Sequence, residues 1–310
     1  MVKRDGSRWT RNPYVLMPLL LLAWGSFAAT NKLLLASMDS YLVLFYMYGF
    51  ALIVFLAILM VQGKLKGFGS WNGRDFGLLA GCGTLAFLYD FLYLQALERL
   101  PAVEASMLNY LFPIFIVLFA IPIHRERFTW NKALSLALGL LGSVLLITKG
   151  DWASFTFTNA VGDVLAIFAA VCWGLFTNLV KMNERDAALS NLFITFVAFV
   201  WTAGAMWGNS SLSVPSLPNL GGLVWLAVGN IVLGFLLYFQ ALKHASASLV
   251  ASFTFFTPCV TLLFILVMVG ERLSWIDLGA FLLIFISVPI QQGLPLPRLL
   301  PERRVPRNGK

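Results

Sequence analysis

Charge is scarce in this chain. Asp, Glu, Lys and Arg together make up 12% of its 310 residues, about half the roughly 25% of a soluble domain, while 59% are hydrophobic. So few charges cannot cover a water-facing surface of this size, and the balance points to a lipid bilayer. Cysteine is also rare. Cys82, Cys172 and Cys259 lie inside apolar runs, an odd number with no disulfide framework and no metal-ligand spacing. They read as small packing residues. Two histidines, His124 and His244, cannot make a metal centre by themselves. A phosphate-cradling glycine loop and a dinucleotide fingerprint are both missing. No cofactor is expected, and nucleotide-driven transport would need a separate subunit.

What the chain has in abundance is long apolar runs. A bilayer core about 30 Å thick takes about 20 apolar residues of helix. Ten candidates occur, near 14–35, 41–62, 76–97, 101–123, 133–149, 161–181, 189–208, 220–243, 246–269 and 274–293. The runs are continuous rather than alternating, which argues against a β-barrel.

The runs fall into two copies. Tyr93-Leu94-Gln95-Ala96-Leu97 recurs 145 positions later as Tyr238-Phe239-Gln240-Ala241-Leu242. At the same offset Pro113 pairs with Pro258, Glu126-Arg127 with Glu271-Arg272, and Trp130 with Trp275. Trp24-Gly25, Phe27 and Lys32 match Trp173-Gly174, Phe176 and Lys181 at offset 149. An ordered series of this kind marks a tandem duplication. The expected layout is a basic N-terminus at 1–13, a first five-helix unit at 14–149, a second at 161–293 and a Pro- and Arg-rich tail at 294–310. The first run contains a passable signal-peptidase site at Ser26-Phe27-Ala28, but its Trp-Gly-Phe-Lys pattern repeats in the sixth run, so it belongs to the fold.

The net charge of +8 is distributed by membrane side. With the N-terminus taken as cytoplasmic, all the basic residues except Lys32, Arg99, Lys149 and Arg272 fall inside. That is a strong positive-inside pattern, with both termini in the cytoplasm. The basic tails then sit beside anionic headgroups. A compact basic patch with interleaved aromatics, as nucleic acid requires, is absent. Five spans per copy is an odd number, so the second copy crosses in the opposite sense. The expected fold is thus an all-α membrane protein of ten helices, as two inverted five-helix repeats around a central cavity. Secondary transporters are built this way, since two half-units exchanging conformations give alternating access.

Polar groups inside spans suggest where a solute binds, because an exposed charge at the bilayer centre costs at least about 2.5–3.5 kcal/mol. Asp90 lies deepest. It is either a cavity group meeting a substrate ammonium or carrying a proton, or a hydrogen-bonded structural acid. Lys32 and Lys181, near helix ends, are explained most simply by snorkelling. Tyr89, Asp90 and Tyr93 share one helix face. Tyr110 and Phe112 flank Asn109 and Pro113, while Tyr238, Phe255 and Phe256 hold related places in the second copy. Any one aromatic can be an interfacial belt residue. Trp24 and Trp173 fit that account less well, since each lies towards mid-span and precedes a glycine that permits close approach. A cavity walled by Trp and Tyr suits aromatic zwitterions and can hold an ammonium by cation–π contact. Pro113 and Pro258 each free a carbonyl. They are packing kinks or a repeat-paired hinge.

These residues resemble the drug/metabolite transporter superfamily, in its ten-helix form with two EamA-type repeats, over roughly residues 14–293. Within it the group of bacterial aromatic amino acid exporters is most similar. The resemblance is carried by Glu104-x-x-Met107-x-Asn109-Tyr110-Leu111-Phe112-Pro113 and by Leu118-Phe119-Ala120-Ile121. Tyr89-Asp90 looks like that group's Tyr followed by an acid, and Trp24 and Trp173 fall on its tryptophans. Phe112 stands where a Trp is usual and Asp90 where a Glu is, which alters reach. The resemblance implies an exporter of aromatic and other neutral amino acids in the bacterial inner membrane. Its cavity would lie between helices 1, 3 and 4 of one half and 6, 8 and 9 of the other.

Substrate contact is expected from Trp24, Tyr89, Asp90, Tyr93, Asn109, Tyr110, Phe112, Trp173, Tyr238 and Phe256, with Pro113 and Pro258 as the hinge. Protons stay open as a co-substrate, and nothing in the sequence requires a protein partner. The alternatives are export of another small metabolite or drug, or a membrane enzyme using Asp90 and Glu104 as an acid/base pair.

Overall fold

A computed structural model describes residues 12–151, 157–269 and 274–293, and of 264–269 the backbone alone. The described residues are helical, with no strand among them. Eight helical runs are long and apolar enough to cross a bilayer. They are α1 (Pro13–Trp24) with α2 (Phe27–Leu35), α3 (Ser40–Val61), α4 (Gly73–Arg99), and α5 (Ala102–Asn109) with α6 (Phe112–His124). There follow α7 (Trp130–Thr148), α8 (Ala160–Lys181) and α9 (Ala187–Asn209). The eighth is α10 (Leu217–Trp225), which continues through a π-helical segment, Leu226–Leu233, into α11 (Gly234–His244). Two further apolar stretches, Ala247–Leu263 and Trp275–Gln291, are shorter among the residues whose side chains are described. They hold α12 (Ala247–Thr254), the start of α13 (Thr257–Val269) and α14 (Trp275–Gln291). The expected all-α membrane fold is found, with eight runs of spanning length and two shorter apolar helices among the described residues. At 17 residues α14 sits at the lower edge of the roughly 17–25 needed to span.

Side chains that bond the first free amides set the helix starts. Asp39 accepts from Leu42 N, Thr129 from Lys132 N and Asn159 from Gly162 N. Asn72 with Asp75, and Ser274 with Asp277, form reciprocal capping boxes. Thr129 and Ser274 are repeat partners. The tryptophans that follow them, Trp130 and Trp275, stand 87% and 88% exposed, as belt residues at a lipid–water boundary do. Ile53, Leu118, Phe168, Val200 and Leu282 are exposed along the sides of the bundle. Acyl chains solvate such a surface and water does not.

The two halves interlock by exchanged contacts. Helix α4 packs on α8, and in the swapped sense α11 packs on α1. Helix α6 on α8 is answered by α13 on α1, while α3 with α9 and α7 with α14 join equivalent helices. The exchange reaches single atoms. A Cβ at Gly25 would stand 3.0 Å from Val260, and one at Gly174 would stand 2.6 Å from Phe115. Phe115 and Val260 are repeat partners, so each glycine lets the same neighbour of the opposite half approach.

Lys32 Nζ donates to the carbonyls of Leu97 at 2.6 Å and Leu100 at 3.4 Å. Lys181 Nζ donates to their repeat partners, Leu242 at 2.9 Å and Ala245. Snorkelling is therefore not the whole role of these two lysines. Each closes the carbonyl end of its own half's third helix, where the last turn has no amide partners. Glu271 and Arg272, the repeat partners of Glu126 and Arg127, lie outside the described residues, as do residues 1–11 and the 294–310 tail.

Candidate functional site

A cavity of about 660 Å³ opens between the halves. It is bordered by Trp24 at the end of α1, by Tyr89, Asp90 and Tyr93 on α4, and by Asn109, Tyr110 and Phe112 around the α5–α6 break. Trp173 on α8, Asn230 and Phe235 on the eighth span, and Thr257, Pro258 and Thr261 on α13 complete it. Its lining extends to Lys32, Ala102 and Lys149.

Local backbone breaks shape this space. Helices α1 and α2 are interrupted at Gly25 and Ser26, and the freed Gly25 carbonyl accepts from Thr261 Oγ1 at 2.8 Å. Between α5 and α6 the chain breaks at Tyr110 and Leu111, just before Pro113. The second copy repeats this, with α12 ending at Thr254 and α13 starting at Thr257, next to Pro258. A proline early in a helix lacks only an amide that would be unpaired anyway, so each half-helix restarts there at little cost. Helix α8 runs unbroken past Trp173.

Aromatic rings form the deep wall. Trp173 lies 4.6 Å from Tyr89, 4.9 Å from Phe176, 5.3 Å from Trp24 and 5.6 Å from Tyr238, measured between ring centroids. Trp24 is fixed by its own donor, Nε1 reaching the Asn230 carbonyl at 3.2 Å. Asp90 is buried and accepts from the Tyr48 hydroxyl at 2.6 Å, a bond from α4 to α3. Asn109 Nδ2 donates to the Tyr89 hydroxyl at 3.3 Å. Tyr93 pairs with the Ser106 hydroxyl at 3.3 Å.

Eight of the ten residues expected at the site line this cavity: Trp24, Tyr89, Asp90, Tyr93, Asn109, Tyr110, Phe112 and Trp173. Tyr238 and Phe256 do not. Tyr238 is fully buried behind the two tryptophans, its hydroxyl 2.7 Å from Thr177 Oγ1. Phe256 turns to Phe285, ring edge to face at 4.9 Å. Pro258 reaches the wall and Pro113 packs behind it, buried. Glu104 does not meet Asp90, because both its oxygens are held by Thr158, at 2.8 Å from the amide and 2.6 Å from the hydroxyl.

The sequence reading passed over Phe27, Asn230, Phe235, Thr257 and Thr261. The repeat offset was the missed signal for Phe235, since it is the partner of Asp90. An amide midway along the apolar run 220–243 was the missed signal for Asn230.

The family model of EamA-like transporters matches residues 12–148 and 160–290. An aromatic amino acid exporter, YddG of Ancylobacter novellus, is 27% identical over 201 residues, spanning 60% of this chain and 65% of that protein. A pseudopaline exporter, CntI of Pseudomonas aeruginosa, is 28% identical over 171 residues, 54% of this chain and 58% of its own length. An uncharacterized transporter of Archaeoglobus fulgidus is 23% identical over 265 residues, 84% of this chain and 90% of that one. A solved crystal structure superposes with a TM-score of 0.77 at 19% identity, covering 91% of this chain and 98% of that chain. That last likeness is one of fold.

Proposed function

The chain belongs to the EamA-like transporter family, and from that premise we propose that it exports aromatic and other neutral amino acids by alternating access. It is a multi-pass membrane transporter and not an enzyme, as the family and its named relatives are transporters or exporters. The amino-acid reading rests chiefly on one observation. The cavity is walled by Trp24, Tyr89, Tyr110 and Trp173, with the amide of Asn109 beside them. Flat rings with polar edges suit an aromatic side chain, and they can also hold an ammonium over a ring face. Asp90 and Asn109 then meet the polar end of the solute. Pro113 and Pro258 act as a repeat-paired hinge, with the breaks beside them absorbing the change between states. The positive-inside pattern supports the bacterial inner membrane with both termini cytoplasmic.

Counterflow in proteoliposomes tests this, using labelled phenylalanine, tryptophan, tyrosine, threonine and methionine with and without a pH gradient. Saturable exchange of aromatic substrates is expected. Exchange of none of them sinks the reading. The gradient arm reports whether protons move with the solute.

The size of the cavity favours a second reading. About 660 Å³ lies in the middle of the roughly 300–1,000 Å³ range of drug-sized ligand sites, larger than one amino acid fills. Another small metabolite of the same superfamily fits that space. Competition against labelled phenylalanine by larger zwitterions separates the two readings.

A further inference from the structure

Two buried amides at the cavity wall are not satisfied by the protein. Among the described residues, eleven buried side-chain polar atoms have no hydrogen-bond partner. Of the residues that carry them, Asn109 and Asn230 alone line the cavity. They are 7% and 3% exposed. Buried polar groups are normally hydrogen-bonded, and an exception needs an explanation.

The two amides lack different things. Asn109 donates one N–H to Tyr89, and its oxygen, an acceptor, has no partner. Asn230 has neither side-chain atom engaged, and its Nδ2 is therefore a free donor. Four other donors around the cavity are committed within the protein. Trp24 donates to the Asn230 carbonyl, Lys32 to Leu97, Thr257 to Thr254 and Thr261 to Gly25.

Asn230 also sits where the helix is least regular. The π-helical segment Leu226–Leu233 surrounds it, and the amide of Gly234 reaches back five residues to the Gly229 carbonyl. π-Bulges inside α-helices are rare and are frequently found at functional sites. The Trp24 indole fixes the backbone of this turn through the Asn230 carbonyl at 3.2 Å, so the side chain is presented from a held turn.

Neither amide has a counterpart in the other half. The repeat partner of Asn109 is Thr254, and that of Asn230 is Leu85. A pseudo-twofold cavity is symmetric, whereas a zwitterion is not. Its two charged ends must be read where the copies differ.

We propose that Asn230 is a specificity-determining residue whose Nδ2 donates to the carboxylate of a zwitterionic solute, while the free oxygen of Asn109 accepts from its ammonium. This rests on the amino-acid reading above and adds to it the group that reads the acid end.

The test compares phenylalanine with phenethylamine, which keeps the ring and the ammonium but has no carboxylate. Binding to the purified full-length protein is measured for wild type, Asn230→Ala and Asn230→Asp. Size-exclusion profile and thermal unfolding show that each variant is folded. Losing a hydrogen bond to a charged group is expected to weaken phenylalanine binding roughly tenfold or more in Asn230→Ala. Phenethylamine binding should stay within about twofold. Asn230→Asp adds repulsion, so phenylalanine should weaken further while phenethylamine holds or tightens. Equal phenylalanine affinity in wild type and Asn230→Ala overturns the assignment, as does a parallel loss of both ligands in folded variants. A wild-type protein that binds neither ligand removes the amino-acid reading itself, a result distinct from either of these.

Discussion

Trp173 lines the cavity at the centre of an aromatic cluster, with Trp24, Tyr89, Phe176 and Tyr238 all within 5.6 Å of its ring centre. Trp173→Ala should abolish phenylalanine or tryptophan flux in reconstituted vesicles while the protein still folds. Because truncating a buried aromatic costs about 3–5 kcal/mol of stability, Trp173→Phe is the companion variant. It keeps a ring and most of the packing, and should retain the fold while shifting half-saturation. Normal flux in folded Trp173→Ala removes the residue from the site. Asp90 needs a different pair of variants. Asp90→Asn keeps an oxygen for the Tyr48 hydroxyl and should unfold near the wild-type temperature. Asp90→Leu leaves that hydroxyl buried and unpaired, a loss of about 1–3 kcal/mol, readable as a lower Tm in detergent. Individual residues were legible where chemistry alone singled them out, as a tryptophan before a glycine or an acid inside a span. They were not legible where the partner decides. Tyr238 has the same ring as Tyr93, yet Trp24 and Trp173 screen it from the cavity, and nothing local in the sequence shows a screen.

At the scale of elements, the informative features are interruptions. The α5–α6 and α12–α13 breaks were legible because Pro113 and Pro258 announce them at one repeat position. The α1–α2 break had only Gly25 to mark it, and the π-helical turn at Leu226–Leu233 had no marker at all. That turn packs on α3 and α1, contacts that no local sequence pattern announces. If the proline breaks are hinges, Pro113→Ala and Pro258→Ala each permit a more continuous helix and should slow turnover with little change in half-saturation. If they are only kinks, both constants stay at the wild-type value. Steady-state flux over a range of phenylalanine concentrations separates the outcomes, and the effect should have the same direction in both halves because the prolines are partners.

For the whole molecule, the cavity lies between the halves and Glu126 ties them together away from it. One end of the cavity lining carries Lys32, Ala102 and Lys149. At the opposite end of the bundle Glu126, in the loop between α6 and α7, reaches across to the second half. Its carboxylate accepts from Ala247 N at 3.1 Å and from the Ser248 hydroxyl, both at the start of α12, and from Lys132 Nζ at 2.8 Å. Burial pushes the Glu126 carboxyl up, but the bonds from Lys132, Ser248 and Ala247 outweigh it and hold the group below the usual carboxylate range. A carboxylate lowered in this way contributes its stability above its unfolded value and loses it only as pH falls through the lower, folded one. The clasp therefore stays made at neutral pH, and it is released by acid below the ordinary glutamate range. Glu126→Gln mimics that release at pH 7, leaving one amide where two halves of the molecule share a charge. The variant should favour the state open at the Glu126 end. Labelling of a single cysteine placed at Ser246, beside the clasp, should then speed up severalfold, and labelling at Lys149, replaced by cysteine at the far end, should slow. Unchanged rates at both positions would mean that the clasp is a local cap on α12 and takes no part in switching.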